Sequence, residues 1–169
     1  MGILQDYFRA PDASAAIELA VGPGGDIDQH SGTLLDDHGI DWFDAKGIDP
    51  YIALGQLIAF VKGIPFAARA TAPALVWPDE RLWPQGEVRP GQTSPWEGGL
   101  FLQQLPDEWI ATLAGIQDEH LPLLARRWRD IPEANFTDVH AVQATIVEFR
   151  ALARRARDHG HGVYCRTVV

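Results

Sequence analysis

Carboxylate groups dominate the chemistry available at the amino end of this chain. The first 50 residues contain ten acidic side chains against two cations, Arg9 and Lys46, and so carry −8 of the total charge of −9. A surface of this kind would repel nucleic acids and anionic lipids, and it would attract a basic partner or a hard cation. After position 125 the sign reverses, with eight arginines against five acids. Pairing between the two ends of the chain is therefore the alternative to an outward-facing acidic surface.

A partner-binding surface is the first functional hypothesis. Four of the acids form what we call the acidic belt, namely Asp36, Asp37, Asp41 and Asp44. Prolines between residues 65 and 106 would stiffen a segment that carries tryptophans, and stiff aromatic loops lose little entropy on binding. We predict that a partner is bound by Asp36, Asp37, Asp41, Trp42, Asp44, Trp83 and Trp96. The alternative for the tryptophans, Trp77 among them, is that they cover the core.

Asp26 and Asp28, followed by Asp37 at the twelfth position, partly match the spacing of a calcium-binding loop. His30 stands where an oxygen ligand is required, Gly32 comes one position late, and the closing glutamate is absent. The sequence therefore favours a solvated acidic loop, and we predict no bound metal.

His159 and His161 could share a transition metal only with further ligands nearby. The neighbouring sequence offers none, and histidines at the end of a helix are favoured by its dipole. Cys165 lies in an alternating apolar stretch typical of a buried thiol. We therefore predict no catalytic residue, no metal and no cofactor.

Composition indicates a single globular domain in a reducing compartment. The chain has 169 residues, of which 46% are hydrophobic and 22% charged, as is typical of one domain. One cysteine allows no internal disulfide, and residues 1–9 lack the pattern of a secretory signal. The longest apolar run, Tyr51–Val61, is too short for a membrane span. We expect a cytoplasmic protein, and the usage of arginine and alanine suggests a bacterial source.

The pattern of apolar residues predicts an α+β fold in one domain, residues 1–169, with helices packed on a small sheet that includes both terminal strands. Residues 2–8 are predicted as the opening strand, and a short helix follows. The clearest helix spans residues 50–62, with Asp49 capping it and Gly63 ending it. Because apolar residues cover nearly every side of that helix, we expect it to form the axis of the core.

Residues 65–105 are predicted as an irregular segment rich in proline and tryptophan, with edge strands at Leu75–Trp77 and Leu100–Leu102. Three more helices are predicted after this segment. The first covers Pro106–Leu113, and the second is marked by Leu121, Leu124, Ala125 and Trp128. The third begins after a cap at Thr137 or Asp138 and ends at Gly160, and a strand over Val163–Val169 follows it. The polar face of the last helix carries the candidates for internal pairing with the acids, namely Arg150, Arg154 and Arg157.

Stretches at both ends and around the second helix carry a resemblance to a known family. They are Met1–Gly2–Ile3 with Tyr7–Phe8, Asp44–Ala45–Lys46 before the helix that ends at Gly63, and the closing residues Phe149, Arg155, Gly160 and Val163. With these residues the chain resembles the YfbM-like family of bacterial proteins. The resemblance implies an α+β fold and, since the family has no established activity, no particular reaction. The proline- and tryptophan-rich segment departs from the family's pattern.

We therefore expect a non-catalytic cytosolic protein that binds a basic protein, in the manner of an immunity protein or an inhibitor. The alternative is a small-molecule-binding protein or a hydrolase-type enzyme, with its pocket between helix 50–62 and the tryptophan-bearing loops. A third hypothesis is a structural subunit of a homo-oligomer, which would bury Trp83 and Trp96 against a second copy. The sequence leaves the oligomeric state open.

Overall fold

Five strands form one antiparallel sheet in the computed structural model of the chain, which describes residues 3–22, 39–45, 47–67, 71–83, 85–86, 89–91, 94–134 and 136–169. In chain order the strands are β1 (Leu4–Ala10), β2 (Trp42–Asp44), β3 (Ala74–Trp77), β4 (Leu100–Gln104) and β5 (Gly162–Val168). Across the sheet the order is β2-β1-β5-β4-β3, and every neighbouring pair is antiparallel. The first and last strands of the chain therefore lie side by side inside the sheet.

The pairing of β1 with β5 is the longest in the sheet. It runs through seven residue pairs along the full length of both strands. Successive side chains face opposite sides, and both sides are buried. Tyr7 and Cys165 face one hydrophobic layer, whereas Phe8 and Tyr164 face the other. Each face of the sheet therefore needs its own cover.

Helices supply that cover on both faces. Five are found among the described residues: α1 (Ala13–Val21), α2 (Ala53–Lys62), α3 (Asp107–Ala114), α4 (Leu121–Arg129) and α5 (Val139–His159). α1 packs on the face of Phe8 and Tyr164, while the other four form the main core on the face of Tyr7 and Cys165. The predicted α+β fold, with helices on a small sheet that includes both terminal strands, is confirmed. None of these five helices is long and apolar enough to cross a membrane.

The axis of the main core is α5 and not α2, which corrects the expectation from the sequence. α5 has 21 residues, and its buried stripe contains Val142, Ile146, Phe149, Leu152, Ala153 and Ala156. It packs along both α3 and α4. The Asp138 carboxylate caps it by accepting hydrogen bonds from the amides of His140 and Ala141. Gly160 ends it with a φ of +65°, a conformation that glycine adopts readily.

α2 begins at Ala53, later than predicted. Asp49 still caps it, because its carboxylate accepts hydrogen bonds from the amides of Tyr51, Ile52 and Ala53 at 2.8–3.0 Å. The residues between them form a turn. The stretch predicted as helix 50–62 is also less enclosed than its composition suggests, since Tyr51 and Ile52 in the turn are exposed and cavities open beside Phe60 on α2.

β4 differs from its prediction as an edge strand. It pairs with β5 on one side and with β3 on the other, so it lies inside the sheet. β3 is the edge strand, and Pro73 and Pro78 flank it, which limits pairing with a further strand. A short 3₁₀ helix, Glu80–Leu82, follows β3 and leads to Trp83. The segment predicted to be irregular thus contributes two strands to the sheet.

Trp128 joins α4 to the first turn of α2. Its side chain is fully buried, and its Nε1 donates a hydrogen bond to the Ala53 carbonyl oxygen at 2.7 Å.

We predict that Trp128→Phe lowers the free energy of unfolding by about 2 kcal/mol, because a buried hydrogen bond and part of a ring are lost. Urea denaturation followed by circular dichroism measures this loss. Trp83→Phe, at an exposed site, is the control and should change stability by less than about 0.5 kcal/mol. Equal losses in the two variants would contradict this description of the core.

Candidate functional site

Asp41, a member of the acidic belt, is bound by two arginines. Its Oδ2 accepts hydrogen bonds from Nε of Arg9 on β1 and from Nε of Arg155 on α5, each at 2.6 Å. Its Oδ1 accepts from Nη2 of Arg155 at 2.8 Å, so the Arg155 contact is bidentate. Arg9 Nη1 also lies 3.0 Å from Nδ1 of His161. The cluster therefore joins β1, the entry to β2, the end of α5 and the start of β5.

The charge of Asp41 is compensated within this cluster. Partial burial raises the pKa of Asp41, but the hydrogen bonds and charges of Arg155 and Arg9 outweigh it, and the pKa lies below its ordinary value of 3.8. The Asp41 carboxylate in turn raises the pKa of Arg155. Burial, together with the charges of Arg9 and His159, lowers the pKa of His161 and so favours the neutral ring that accepts from Arg9. Asp41 is ionised at neutral pH but is already paired.

Two further arginines of α5 also form hydrogen bonds within the chain. Arg154 donates from Nε to the Ala114 carbonyl oxygen at 2.9 Å and from Nη2 to the Ile116 carbonyl oxygen at 3.2 Å. Arg150 donates to the same Ile116 oxygen at 3.3 Å and forms an ion pair with Asp118 at 2.6 Å. Carbonyl groups at the end of a helix need such partners. This arginine face therefore fixes the end of α3.

The structure places two of the four belt residues. Asp44 is exposed at the end of β2, in contrast to Asp41. Asp36 and Asp37 lie outside the described residues, as does the segment 26–37 that was compared with a calcium-binding loop. Trp42, predicted as a partner contact, is partly buried against the α1 side of the sheet. The described part of the belt is thus not one continuous acidic surface.

Asp6 is a buried carboxylate inside the sheet. Its Oδ2 lies 3.9 Å from Nη1 of Arg166, which is fully buried on β5. Burial raises the pKa of Asp6 to about 6, the charge of Arg166 opposes this rise, and the charge of Asp44 adds to it. Asp6 therefore contributes to the acidic composition of the amino-terminal segment without contributing to its exposed surface.

The tryptophans of the proline-rich segment divide into covered and exposed ones. Trp77 is partly buried against the α1 side of the sheet. Trp96 makes edge-to-face contacts with Trp83, at 4.8 Å between ring centroids, and with Phe101, at 6.0 Å. Trp83 is 47% exposed, and Leu82 beside it is 57% exposed. We call Leu82, Trp83 and Trp96 the tryptophan surface.

The other candidate groups make structural contacts. His159 donates from Nδ1 to the Arg155 carbonyl oxygen at 2.8 Å, and its ring lies 5.6 Å from that of His161. Cys165 is fully buried, and burial raises the pKa of its thiol to about 12, so the thiol stays protonated. Within the described ranges no three His, Cys, Asp or Glu side chains come together as a metal site.

Cavities open beside α2. Two of them lie between α2 and α4. One has a volume of about 310 Å³ and is lined by Phe60 and by residues between Gly115 and Arg127. The other, of about 500 Å³, is lined by residues between Ala59 and Ile64 together with Arg127 and Asp130. A smaller one of about 70 Å³ lies beside α3, where the Phe66 ring covers Gly55. A Cβ atom at Gly55 would lie 2.8 Å from that ring, so a larger residue there would have to displace Phe66. The cavity of about 70 Å³ borders the start of the proline- and tryptophan-rich segment through Pro65, Phe66, Ala67 and Thr71, whereas that of about 310 Å³ does not. Trp77, Trp83 and Trp96 line neither of the two.

The roles of Leu82 on the tryptophan surface and of Arg155 in the Asp41 cluster were not predicted from the sequence. The exposure of Leu82 has no signal in the sequence, because the residue follows no helical or strand pattern and leucine is more often buried. Arg155 has no local signal either, because its contact with Asp41 spans 114 positions. That contact becomes visible only once β1 and β5 are paired.

Comparisons with protein-family models, with curated proteins and with solved structures found no match for this chain. The resemblance to the YfbM-like family therefore stays a prediction. The surfaces and cavities of the molecule itself carry the functional argument.

Asp41→Asn should lower the free energy of unfolding at pH 7 by about 1 kcal/mol, because a partly exposed network loses its central charge. The pKa of Asp41 is lowered on folding, so its contribution is present above pH 3.8 and is lost as the pH falls through the folded-state value. The difference between wild type and variant in urea denaturation should therefore shrink below pH 3.8. Glu18→Gln, at an exposed position on α1, should leave stability within about 0.5 kcal/mol of wild type. A loss in Glu18→Gln as large as that in Asp41→Asn would contradict the network.

Asp6→Asn should change how stability depends on pH. The pKa of Asp6 is raised on folding from 3.8 to about 6, so its contribution is complete below pH 3.8 and is lost as the pH rises through about 6. We expect the unfolding free energy of wild type, relative to Asp6→Asn, to fall between these two pH values. Asp41→Asn is the comparison, because that site titrates below pH 3.8. Parallel profiles for wild type and Asp6→Asn would show that Asp6 does not titrate in this range.

Proposed function

We propose that this chain is a non-catalytic bacterial protein of the cytoplasm that binds a basic protein partner, as an immunity protein or an inhibitor does. The observation that carries the proposal is the tryptophan surface, on which Leu82 and Trp83 are exposed side by side. Exposed apolar groups of this size mark interaction sites when they are contiguous, and tryptophan is enriched among the residues that dominate binding energy.

The backbone of Trp83 is fixed by a capped turn, and its ring has an aromatic neighbour. The Trp83 amide donates to the Glu80 carbonyl oxygen at 3.1 Å and closes the 3₁₀ turn. Asp79 caps that turn by accepting from the Arg81 amide at 3.0 Å. Trp96 packs against the indole ring from the side. A segment ordered in advance loses less entropy on binding, which favours tight association.

The charges beside the tryptophan surface suit a basic partner. Glu80 and Glu97 are exposed and lie next to the surface in the sequence. The nearby Arg81 is paired with Asp79 through side-chain hydrogen bonds of 2.6–3.1 Å. A lysine or arginine of the partner would stack on the Trp83 ring and meet one of the two glutamates. The net charge of −9 adds long-range attraction.

Asp41, whose charge is paired within the protein, precedes the edge strand β2, whereas the proposed docking surface follows β3 at the opposite edge of the sheet. Asp44 stays a predicted partner contact because it is exposed. An enzyme gains no support from Cys165, since a buried and protonated thiol is not a nucleophile.

The binding of short peptides tests this proposal. We would titrate ¹⁵N-labelled protein with a lysine- and arginine-rich peptide and follow the indole N–H signals. We expect the Trp83 signal to shift, and we expect Trp83→Ala to raise the Kd about tenfold or more, as truncating a central aromatic does. Added salt should weaken binding, because the Debye length falls to about 10 Å at 0.1 M ionic strength.

Leu123→Ala is the matched control, because Leu123 is also an exposed large apolar residue but lies on α4. It should leave the affinity unchanged. Equal binding of a glutamate-rich peptide, or an unchanged affinity in Trp83→Ala, would contradict the proposal. Weaker binding in Asp44→Lys with no effect of Trp83→Ala would instead favour the belt as the docking surface.

A further inference from the structure

We infer that the cavity between α2 and α4 is a binding site for a small monocarboxylate with an apolar body. The cavity has a volume of about 310 Å³, which lies at the small end of the range of ligand pockets. It lies on different elements from the tryptophan surface, so the inference does not depend on the proposed function.

The walls of the cavity are apolar. Phe60 and Val61 form the α2 side, Leu123 and Leu124 form the α4 side, and Ile116 contributes from the loop between α3 and α4. Leu124 and Ile116 are buried, whereas Leu123 is 59% exposed. A leucine with this exposure at the edge of a cavity leaves apolar surface in water, which an apolar ligand would cover.

The loop behind the cavity is held rigidly. Arg150 and Arg154 both donate to the Ile116 carbonyl oxygen, and Gln117 donates to the Gly115 carbonyl oxygen at 2.8 Å. These hydrogen bonds fix the backbone that separates α3 from α4. The cavity is therefore largely formed before a ligand binds, which limits the entropy lost on binding.

A single arginine provides the charge at this cavity. The guanidinium carbon of Arg127 lies 5.9 Å from the centroid of the Phe60 ring. Among the described residues, no acidic side chain lies within ion-pair distance of Arg127, although its neighbour Arg129 pairs with Asp130 at 2.8 Å. His120, the other titratable side chain lining the cavity, has Glu119 at 4.0 Å. Asp130 lines the adjoining cavity together with Arg127 but does not line this one, so the charge that faces a ligand here is the positive charge of Arg127.

The combination of apolar walls and one cation determines the class of ligand. A planar guanidinium binds a carboxylate through two parallel hydrogen bonds, and the walls suit an aromatic ring or a short hydrocarbon chain. An inorganic anion would leave the apolar walls uncovered. A neutral apolar molecule would cover the walls but would make no use of the guanidinium charge.

The test uses 3-phenylpropionate and its uncharged analogue 3-phenylpropionamide with the full chain. Methyl NMR spectra report which side chains each probe contacts. We expect saturable shifts of the Val61, Ile116, Leu123 and Leu124 methyls with the acid, at a Kd of about 1 mM or tighter. The amide should bind about tenfold more weakly, because it lacks the charge-assisted contact. This comparison uses the wild-type protein and so does not depend on the folding of a variant.

Arg127→Gln and Arg126→Gln form a matched pair on α4. Both arginines are exposed, but only Arg127 lines the cavity. Arg127→Gln should weaken binding of the acid about tenfold and leave that of the amide unchanged, whereas Arg126→Gln should bind both probes as wild type does. Equal affinity for acid and amide in wild type, unchanged acid binding in Arg127→Gln, or shifts confined to other methyls would overturn the inference. Binding of a glutamate-flanked apolar peptide in place of the acid would overturn it in favour of a protein partner.

Discussion

The antiparallel pairing of β1 with β5 is the constraint on which the rest of the structure depends. It puts the two terminal strands at the centre of the sheet and buries both of their faces. One face is covered by α1 and the other by four helices grouped around α5. Because β5 follows α5 after a single tight turn at Gly160, the same pairing brings the end of α5 close to the entry to β2. Arg155 meets Asp41 at that point.

This topology pairs several of the charged side chains with one another within the protein. Asp41 is paired with two arginines, Asp6 is buried beside Arg166, and the arginines of α5 bind the end of α3 as well as Asp41. Arginine side chains therefore compensate part of the negative charge of the amino-terminal segment. A partner of opposite charge would still be attracted over a distance, since attraction depends on the net charge. Specific contact must come from exposed groups, and Trp83 is the largest aromatic side chain among the exposed residues of the described ranges.

Much of the fold could be predicted from local signals. Asp49, Asp138, Gly63 and Gly160 mark helix ends because capping and left-handed glycine act within one turn of chain. The stripe of α5 could be predicted because one face of that helix is buried along its whole length. β2 could not be predicted, because three residues are too few to show an alternating pattern.

The long-range features of the candidate site could not be read from the sequence. The position of β4 inside the sheet depends on partners on both sides, neither of which its own residues specify. Trp83 is exposed, but the sequence left open whether it binds a partner or covers the core. The pairing of Asp41 depends on a residue 114 positions away. The cavity beside Phe60 on α2 likewise depends on where α4 packs, and the spacing of apolar residues along the chain does not determine that position.

The internal pairing of Asp41 with Arg155 is tested most directly by a double-mutant cycle. The free energies of unfolding of wild type, Asp41→Asn, Arg155→Gln and the double variant give the coupling between the two side chains. We predict a favourable coupling of about 1 kcal/mol at neutral pH, because the contact is bidentate but partly exposed. Strictly additive losses would contradict the pairing and would return Asp41 to the exposed acidic surface.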